Sequence, residues 1–197
     1  MLSDRDRIQK RLFDICFSLI GIVLTGWLMV TAWIIATIET KNNGLFIQKR
    51  VGKKGKIFGV YKIKTMKKNN GSTITVGGDG RITKSGAVFR RTKIDELPQL
   101  FNVLFGQMSF VGPRPDVRGY ADRLEGDDRV ILEIAPGITG PASLKYKNEE
   151  SILAQQEDPE RYNREVIWPD KVRINKVYVR NWSLKNDILY IKKTIFG

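Results

Sequence analysis

Two adjacent carboxylates, Asp95 and Glu96, stand in the segment RRTKIDELPQLFNVLFGQMSFVGPRP, just after Arg90, Arg91 and Lys93 and ahead of Gly112-Pro113-Arg114-Pro115. A carboxylate can attack phosphorus while its neighbour holds a divalent cation, and fixed cations neutralise phosphoryl charge. The competing reading is structural, because Asp and Glu at a helix start satisfy orphan N–H groups and complement the macrodipole. The rest of the inventory tilts the balance towards chemistry. The chain has no histidine and one cysteine, Cys16, so Ser-His-Asp and Cys-His catalysis and ordinary zinc sites are excluded. Any metal must be hard and oxygen-ligated, which points to Mg²⁺ or Mn²⁺. A lone Cys forms no internal disulfide, which favours cytosolic exposure. With 34 Lys+Arg against 21 Asp+Glu, the formal charge of +13 favours anionic partners: phosphates, acidic lipid surfaces or nucleic acid.

The elements that must position these groups are legible as patterns. Leu97, Leu100, Phe101, Leu104, Phe105 and Met108 recur at helical spacing, so a helix is expected from near Asp95, with Pro98 tolerated in its first turn. Gly44 to Met66 alternates apolar and basic residues around Gly52 and Gly55 and reads as a β-hairpin, with Ile57, Val60, Tyr61 and Ile63 on its buried side. Lys67 to Gly80 is polar and glycine-rich and reads as a mobile loop, and its Gly77-Gly78-Asp79-Gly80 lacks the ending of a phosphate-binding P-loop. Tyr120 to Ile134 reads as a charged amphipathic helix, Ala135 to Pro141 as a rigid loop, and Ser151 to Tyr162 as a polar helical stretch broken by Pro159. The tail from Lys171 to Phe196 mixes aromatics, aliphatics and cations, which suits either a helix in a lipid headgroup zone or ordinary packing. No internal repeat or low-complexity tract is present.

Ile15 to Ile38 carries no charge over 24 residues, long enough for a hydrocarbon core and too long for a signal peptide. Basic residues flank both ends: Arg5, Arg7, Lys10 and Arg11 before, Lys41, Lys49 and Arg50 after. The positive-inside tendency therefore wants both flanks on the cytoplasmic side, which a helix that enters, bends and returns would satisfy. Gly21, Thr25 and Gly26 are weak points for such a bend. A plain spanning anchor remains open. The expected class is α+β, mostly helical. It comprises an N-terminal membrane helix over residues 1–40, re-entrant if it bends, and a catalytic part over 41–197 with a small β-hairpin and amphipathic interfacial helices around one compact cytosolic domain.

The chain closely resembles the small monotopic phosphoglycosyl transferases, also called bacterial sugar transferases. The likeness rests on Arg11-Leu12-Phe13-Asp14 leading into the apolar run, Tyr61 to Met66, Asp95-Glu96-Leu97-Pro98-Gln99-Leu100, Asn102-Val103-Leu104, Met108 to Pro115, and Pro136-Gly137-Ile138-Thr139-Gly140. The resemblance implies a two-step transfer at the cytosolic face of a bacterial inner membrane. Asp95 would attack the β-phosphorus of a UDP-sugar, expelling UMP, and polyprenyl phosphate would then take the phosphosugar. It further implies that Glu96 helps bind Mg²⁺, that Lys64, Arg90 and Arg114 contact phosphate, and that Lys147 and Asn148 serve the substrate's nucleotide end. It also implies a re-entrant membrane helix. The partners expected are UDP-sugar, polyprenyl phosphate and cytoplasmic membrane lipids, with no nucleic acid and with a homodimer left open. This chain departs from its relatives' pattern in reading Gly26-Trp27 for a Ser-Pro pair at the bend, Pro141-Ala142 for Trp-Ala, Lys147-Asn148 for Arg-Asn, and Asn175 for Asp. Lysine lacks the planar fork of arginine, so the donor contacts are expected to differ.

Two other classes compete. A membrane-tethered basic protein that holds acidic lipid or nucleic acid would need no Asp95 and would lose affinity steeply with salt. A metal-dependent phosphohydrolase would share the carboxylates but would release sugar phosphate to water without polyprenyl phosphate.

Overall fold

A computed structural model describes residues 2–67 and 80–197 of the chain. The loop expected over Lys67 to Gly80 lies outside the described residues except at its two ends. The chain divides into two compact units, one formed by residues 16–49 and 59–105 and the other by residues 1–15, 50–58 and 106–197. The class is the expected one, mostly helical with little sheet.

The first unit begins inside helix α1 (Asp4–Thr40), whose 37 residues run without interruption. At 1.5 Å per residue it is about 55 Å long, more than a hydrocarbon core requires. It is the one helix among the described residues long and apolar enough to cross a membrane. Val23, Leu24, Trp27 and Ile38 are each more than 60% exposed, so α1 offers far more apolar surface than a water-facing helix normally does. Thr25, Thr31, Thr37 and Thr40 each donate Oγ1 to the carbonyl four residues earlier, at 2.7–2.8 Å, so the same back-bond recurs along α1 and marks no single bend.

Strands β1 (Leu45–Val51) and β2 (Ile57–Ile63) form the expected hairpin, and like α1 they contribute residues to both units. Val60 and Ile63 are buried as foreseen, whereas Ile57 and Tyr61 are only partly so. Helix α2 (Lys84–Thr92) follows, its N-terminus capped by Thr83, whose Oγ1 accepts from the Gly86 N–H at 3.0 Å. Gly86 has to be glycine, since a Cβ there would stand 2.3 Å from the Thr65 carbonyl. The helix expected from Asp95 starts later. Residues Ile94–Glu96 form a 3-10 turn and α3 spans Gln99–Leu104, with Pro98 at its N-cap, where the missing N–H costs nothing. Ala32, Ala36, Ile63 and Phe89, with Ile94 against them, make this unit's core.

In the second unit, β3 (Ser109–Val111) pairs in parallel with β4 (Gly137–Thr139), Ser109 opposite Gly137 and Val111 opposite Thr139. The rigid loop read over Ala135 to Pro141 is thus partly strand. The glycines make the close approach possible: a Cβ on Gly137 would lie 2.1 Å from the Gly112 nitrogen, and one on Gly140 2.3 Å from the Gly112 oxygen. The amphipathic helix expected over Tyr120 to Ile134 is instead two 3-10 segments, Ala121–Arg123 and Gly126–Glu133. Extended Glu125 and left-handed Gly126, at φ +51°, break α-helical continuity there. Short helices α4 (Pro141–Lys145), α5 (Glu149–Leu153) and α6 (Pro159–Tyr162) lead to α7 (Trp168–Arg180) and α8 (Leu184–Phe196). The tail read as one helix is therefore two, the second capped by Ser183 Oγ accepting from the Asn186 N–H. Helix α7 buries Val172, Tyr178 and Val179, which is ordinary packing. Helix α8 leaves Ile188, Leu189, Ile195 and Phe196 exposed.

Candidate active site

Lys93 closes α2 in the left-handed region, at φ 59°, and its backbone turns the chain into the Ile94–Glu96 turn. This reversal puts Asp95 inside the first unit, 9% exposed, while Glu96 stays half-buried. Arg90, near the end of α2, is aimed by Thr65, whose Oγ1 accepts from Arg90 Nε at 2.8 Å. The close Gly86–Thr65 approach sets that geometry. Lys62, on β2, bonds Glu96 Oε1 at 3.2 Å.

Asp95 Oδ1 is buried and has no hydrogen-bond partner. Buried polar atoms are nearly always satisfied, so an orphaned carboxylate oxygen marks a group held for something other than packing. Burial raises the Asp95 pKa, and neighbouring Glu96 raises it further; Lys62, Lys93 and Arg90 oppose both. An anionic Asp95 is thus in tension with its surroundings and eased by three cations. That is the setting in which a carboxylate gains from meeting phosphorus or a metal.

Of the residues expected from sequence, Asp95, Glu96 and Arg90 are brought together. Lys64 is in the same unit, with Nζ donating to Asn42 Oδ1 at 3.4 Å. Arg114, Lys147 and Asn148 belong to the second unit. There Arg114 is exposed beyond the Gly112-Pro113 step, Lys147 Nζ donates to the Gly197 carbonyl at 2.8 Å, and Asn148 precedes α5. In that unit Arg50 donates to the Pro115 carbonyl at 3.4 Å and the Val51 N–H to the Asp116 carbonyl at 2.8 Å, which pins the turn carrying Arg114. Burial pushes the Asp116 carboxyl up to about 6, against the pull of Lys171, Arg50 and Arg114.

Lys62 is the residue that sequence reasoning passed over. The signal was present, since strand alternation puts Lys62 and Lys64 on one face and Tyr61 and Ile63 on the other. Asn102 was also missed as a positioning residue. Fully buried, it accepts from the Tyr61 N–H at 3.0 Å and donates to the Gly59 carbonyl at 2.7 Å, tying α3 to β2.

Among the described residues no cluster of three metal-ligating side chains occurs. Mg²⁺ is commonly held by one or two carboxylates together with substrate phosphates and water, and an orphaned Asp95 oxygen beside Glu96 fits that pattern.

Comparison with known proteins gives a consistent picture. A family profile described as "Bacterial sugar transferase" matches residues 5–197. The chain is 34% identical over 192 residues to a UDP-N-acetylgalactosamine-undecaprenyl-phosphate N-acetylgalactosaminephosphotransferase of Aeromonas hydrophila, covering 94% of this chain and 42% of that protein. It is 34% identical over 203 residues to a UDP-glucose:undecaprenyl-phosphate glucose-1-phosphate transferase of Klebsiella pneumoniae, covering 99% of this chain and 41% of that one. A putative undecaprenyl-phosphate N-acetylgalactosaminyl 1-phosphate transferase of Bacillus subtilis (strain 168) is 38% identical over 148 residues, covering 71% of this chain and 79% of its own length. The chain thus spans about two fifths of the first two relatives.

Proposed function

This chain belongs to the bacterial sugar transferase family, and we propose that it transfers a sugar 1-phosphate from a UDP-sugar to undecaprenyl phosphate, releasing UMP, through a covalent intermediate on Asp95. The observation that carries this reading is the buried, unpartnered Asp95 oxygen beside Glu96 under Lys62, Lys93 and Arg90. In the first step a carboxylate oxygen of Asp95 forms a bond to the sugar-bearing phosphorus, and the bond from that phosphorus to the bridging oxygen breaks, the electron pair leaving with UMP. In the second step an oxygen of the acceptor phosphate attacks the same phosphorus and Asp95 is returned as a carboxylate.

Raised by burial, Asp95 is a stronger base than a surface carboxylate, and Lys62, Lys93 and Arg90 keep enough of it ionised to attack. Mg²⁺ held by Glu96, with substrate oxygens, would supply charge neutralisation at the phosphates. Arg114, Lys147 and Asn148 are assigned to the donor. An exposed apolar α1 with cationic flanks supports residence in the bacterial inner membrane, and basic residues on both flanks support a helix that returns to the cytosolic face.

The test incubates the protein with Mg²⁺, a panel of UDP-sugars and undecaprenyl phosphate, following UMP release and intact mass. UMP release with an adduct mapped to Asp95 in the absence of lipid is expected. UMP release without any adduct, under conditions of demonstrated turnover, would replace the covalent route with direct transfer. Free sugar phosphate formed without need of lipid would make the protein a hydrolase.

A further inference from the structure

The first unit carries an open cavity of about 580 Å³ walled mostly by apolar side chains: Met29, Val30 and Trp33 of α1, Tyr61 and Ile63 of β2, and Pro98, Phe101 and Phe105 around α3. That size is within the range of about 300–1,000 Å³ of specific ligand pockets. Three features say what would fill it. One wall is the uncharged run of α1, so the cavity is continuous with surface suited to hydrocarbon. Pro98 follows Asp95 by three residues, at most about 11 Å of chain, so the α3 wall of the cavity and the candidate nucleophile share one short segment. At the polar edge Asn43 accepts from Trp33 Nε1 at 3.0 Å, fixing the indole, and the adjacent Asn42 receives Lys64 Nζ, so a cation stands beside the apolar wall.

An apolar chamber with a cation at its edge and a carboxylate site nearby is complementary to an amphiphile with a phosphate head and a hydrocarbon chain. We propose that this cavity is the subsite for the first isoprenoid units of the acceptor, with its phosphate presented on the Lys64 side. The inference rests on the transferase reading and adds to it a place where the lipid chain is recognised. Trp33 and Phe101 offer rigid aromatic walls that suit a branched, unsaturated chain, and Met29 is a deformable filler between them. The cavity then discriminates by chain as well as by head group.

The test uses the full chain in nanodiscs with an undecaprenyl phosphate analogue carrying a diazirine on an isoprene unit next to the phosphate. Photolabel on Met29, Trp33, Phe101 or Phe105, displaced by undecaprenyl phosphate and not by an equal concentration of phosphatidic acid, is expected. Label confined to Val23, Leu24 and Trp27, or equal displacement by phosphatidic acid, would show general lipid contact and overturn the proposal. In turnover, Met29→Trp, which fills the cavity with a larger side chain, is expected to raise the acceptor KM at least tenfold while the UDP-sugar KM changes less than twofold. A two-isoprene acceptor, whose whole chain fits the cavity, should lose at least as much as the long one. Equal rises in both KM values would overturn the assignment. Absence of UMP release from the unaltered protein would refute the transferase reading instead, and the photolabel would still decide whether the cavity takes the chain.

Discussion

Each unit buries an aspartate, and the two are treated in opposite ways. Asp187, 1% exposed on α8, has every reason to stay put: Lys10 Nζ reaches its Oδ2 at 2.6 Å, Trp182 Nε1 the same oxygen at 3.0 Å, and Tyr178 OH its Oδ1 at 2.7 Å. Lys10 also donates to the Val111 carbonyl at 2.8 Å, which brings β3 into the network. Burial and Asp187 together push the Tyr178 hydroxyl's pKa far up, so it remains a donor at every physiological pH. Asp95 is nearly as buried, yet one of its oxygens has no partner at all. A polar group whose bonds are all made within the fold is a structural tie, and one left wanting is available to a ligand.

The comparison can be broken or sharpened by substitution. Largest is Asp95→Asn, expected to lower UMP release by about 10⁴-fold or more and to abolish the mass adduct, because an amide is no nucleophile. The same change should not unfold the protein. Folding holds the Asp95 pKa above its free value, so the native state binds more protons than the unfolded state as pH climbs past the ordinary carboxylate range. Stability is then lost with rising pH, and Asn removes that loss. Thermal melts should show Asp95→Asn equal to or above the parent at pH 7.5 and the gap closing towards pH 4. A clear drop in melting temperature at pH 7.5 would mean that Asp95, too, is a structural tie.

Next in size, Asp187→Asn should destabilise by about 3–5 kcal/mol in denaturant titration, since it strands the buried Lys10 charge, whereas the Lys10→Met/Asp187→Leu pair should recover most of that. Failure of the pair to recover would give the ion pair a value beyond mutual neutralisation. Glu96→Gln is expected to raise the Mg²⁺ concentration needed for half-maximal turnover about 10–100-fold, measured by metal titration. Smallest is Lys62→Met. Because Lys62 lowers the Asp95 pKa, its loss should move the acid limb of the kcat/KM profile to higher pH, and an unmoved limb would take Lys62 out of the site.

How much of this was readable before folding varies residue by residue. Asp95, Glu96 and Arg90 stand within seven positions of one another, and a local segment carries its own chemistry in its order. The hairpin was legible from alternation, and α1 from an unbroken apolar run. The 3-10 segments between Tyr120 and Ile134 were not, because helical spacing of apolar residues does not report the left-handed Gly126 that interrupts it. Nor was the β3–β4 ladder, whose strands are 26 residues apart and only three residues long. Lys62 was hidden for the same reason: its partner Glu96 lies 34 positions away.

The sequence by itself determined the kind of chemistry open to this protein. Having no histidine and one cysteine, it has no Ser-His-Asp or Cys-His catalysis and no ordinary zinc site, and its N-terminal run is long and apolar enough to cross a membrane. Only the tertiary structure decided which carboxylate is left unsatisfied, which lysine lies near it, and that residues of α1, β2 and α3 wall one apolar chamber. Those are questions of burial and contact between segments distant in the chain, and desolvation acts on what surrounds a group rather than on what precedes it.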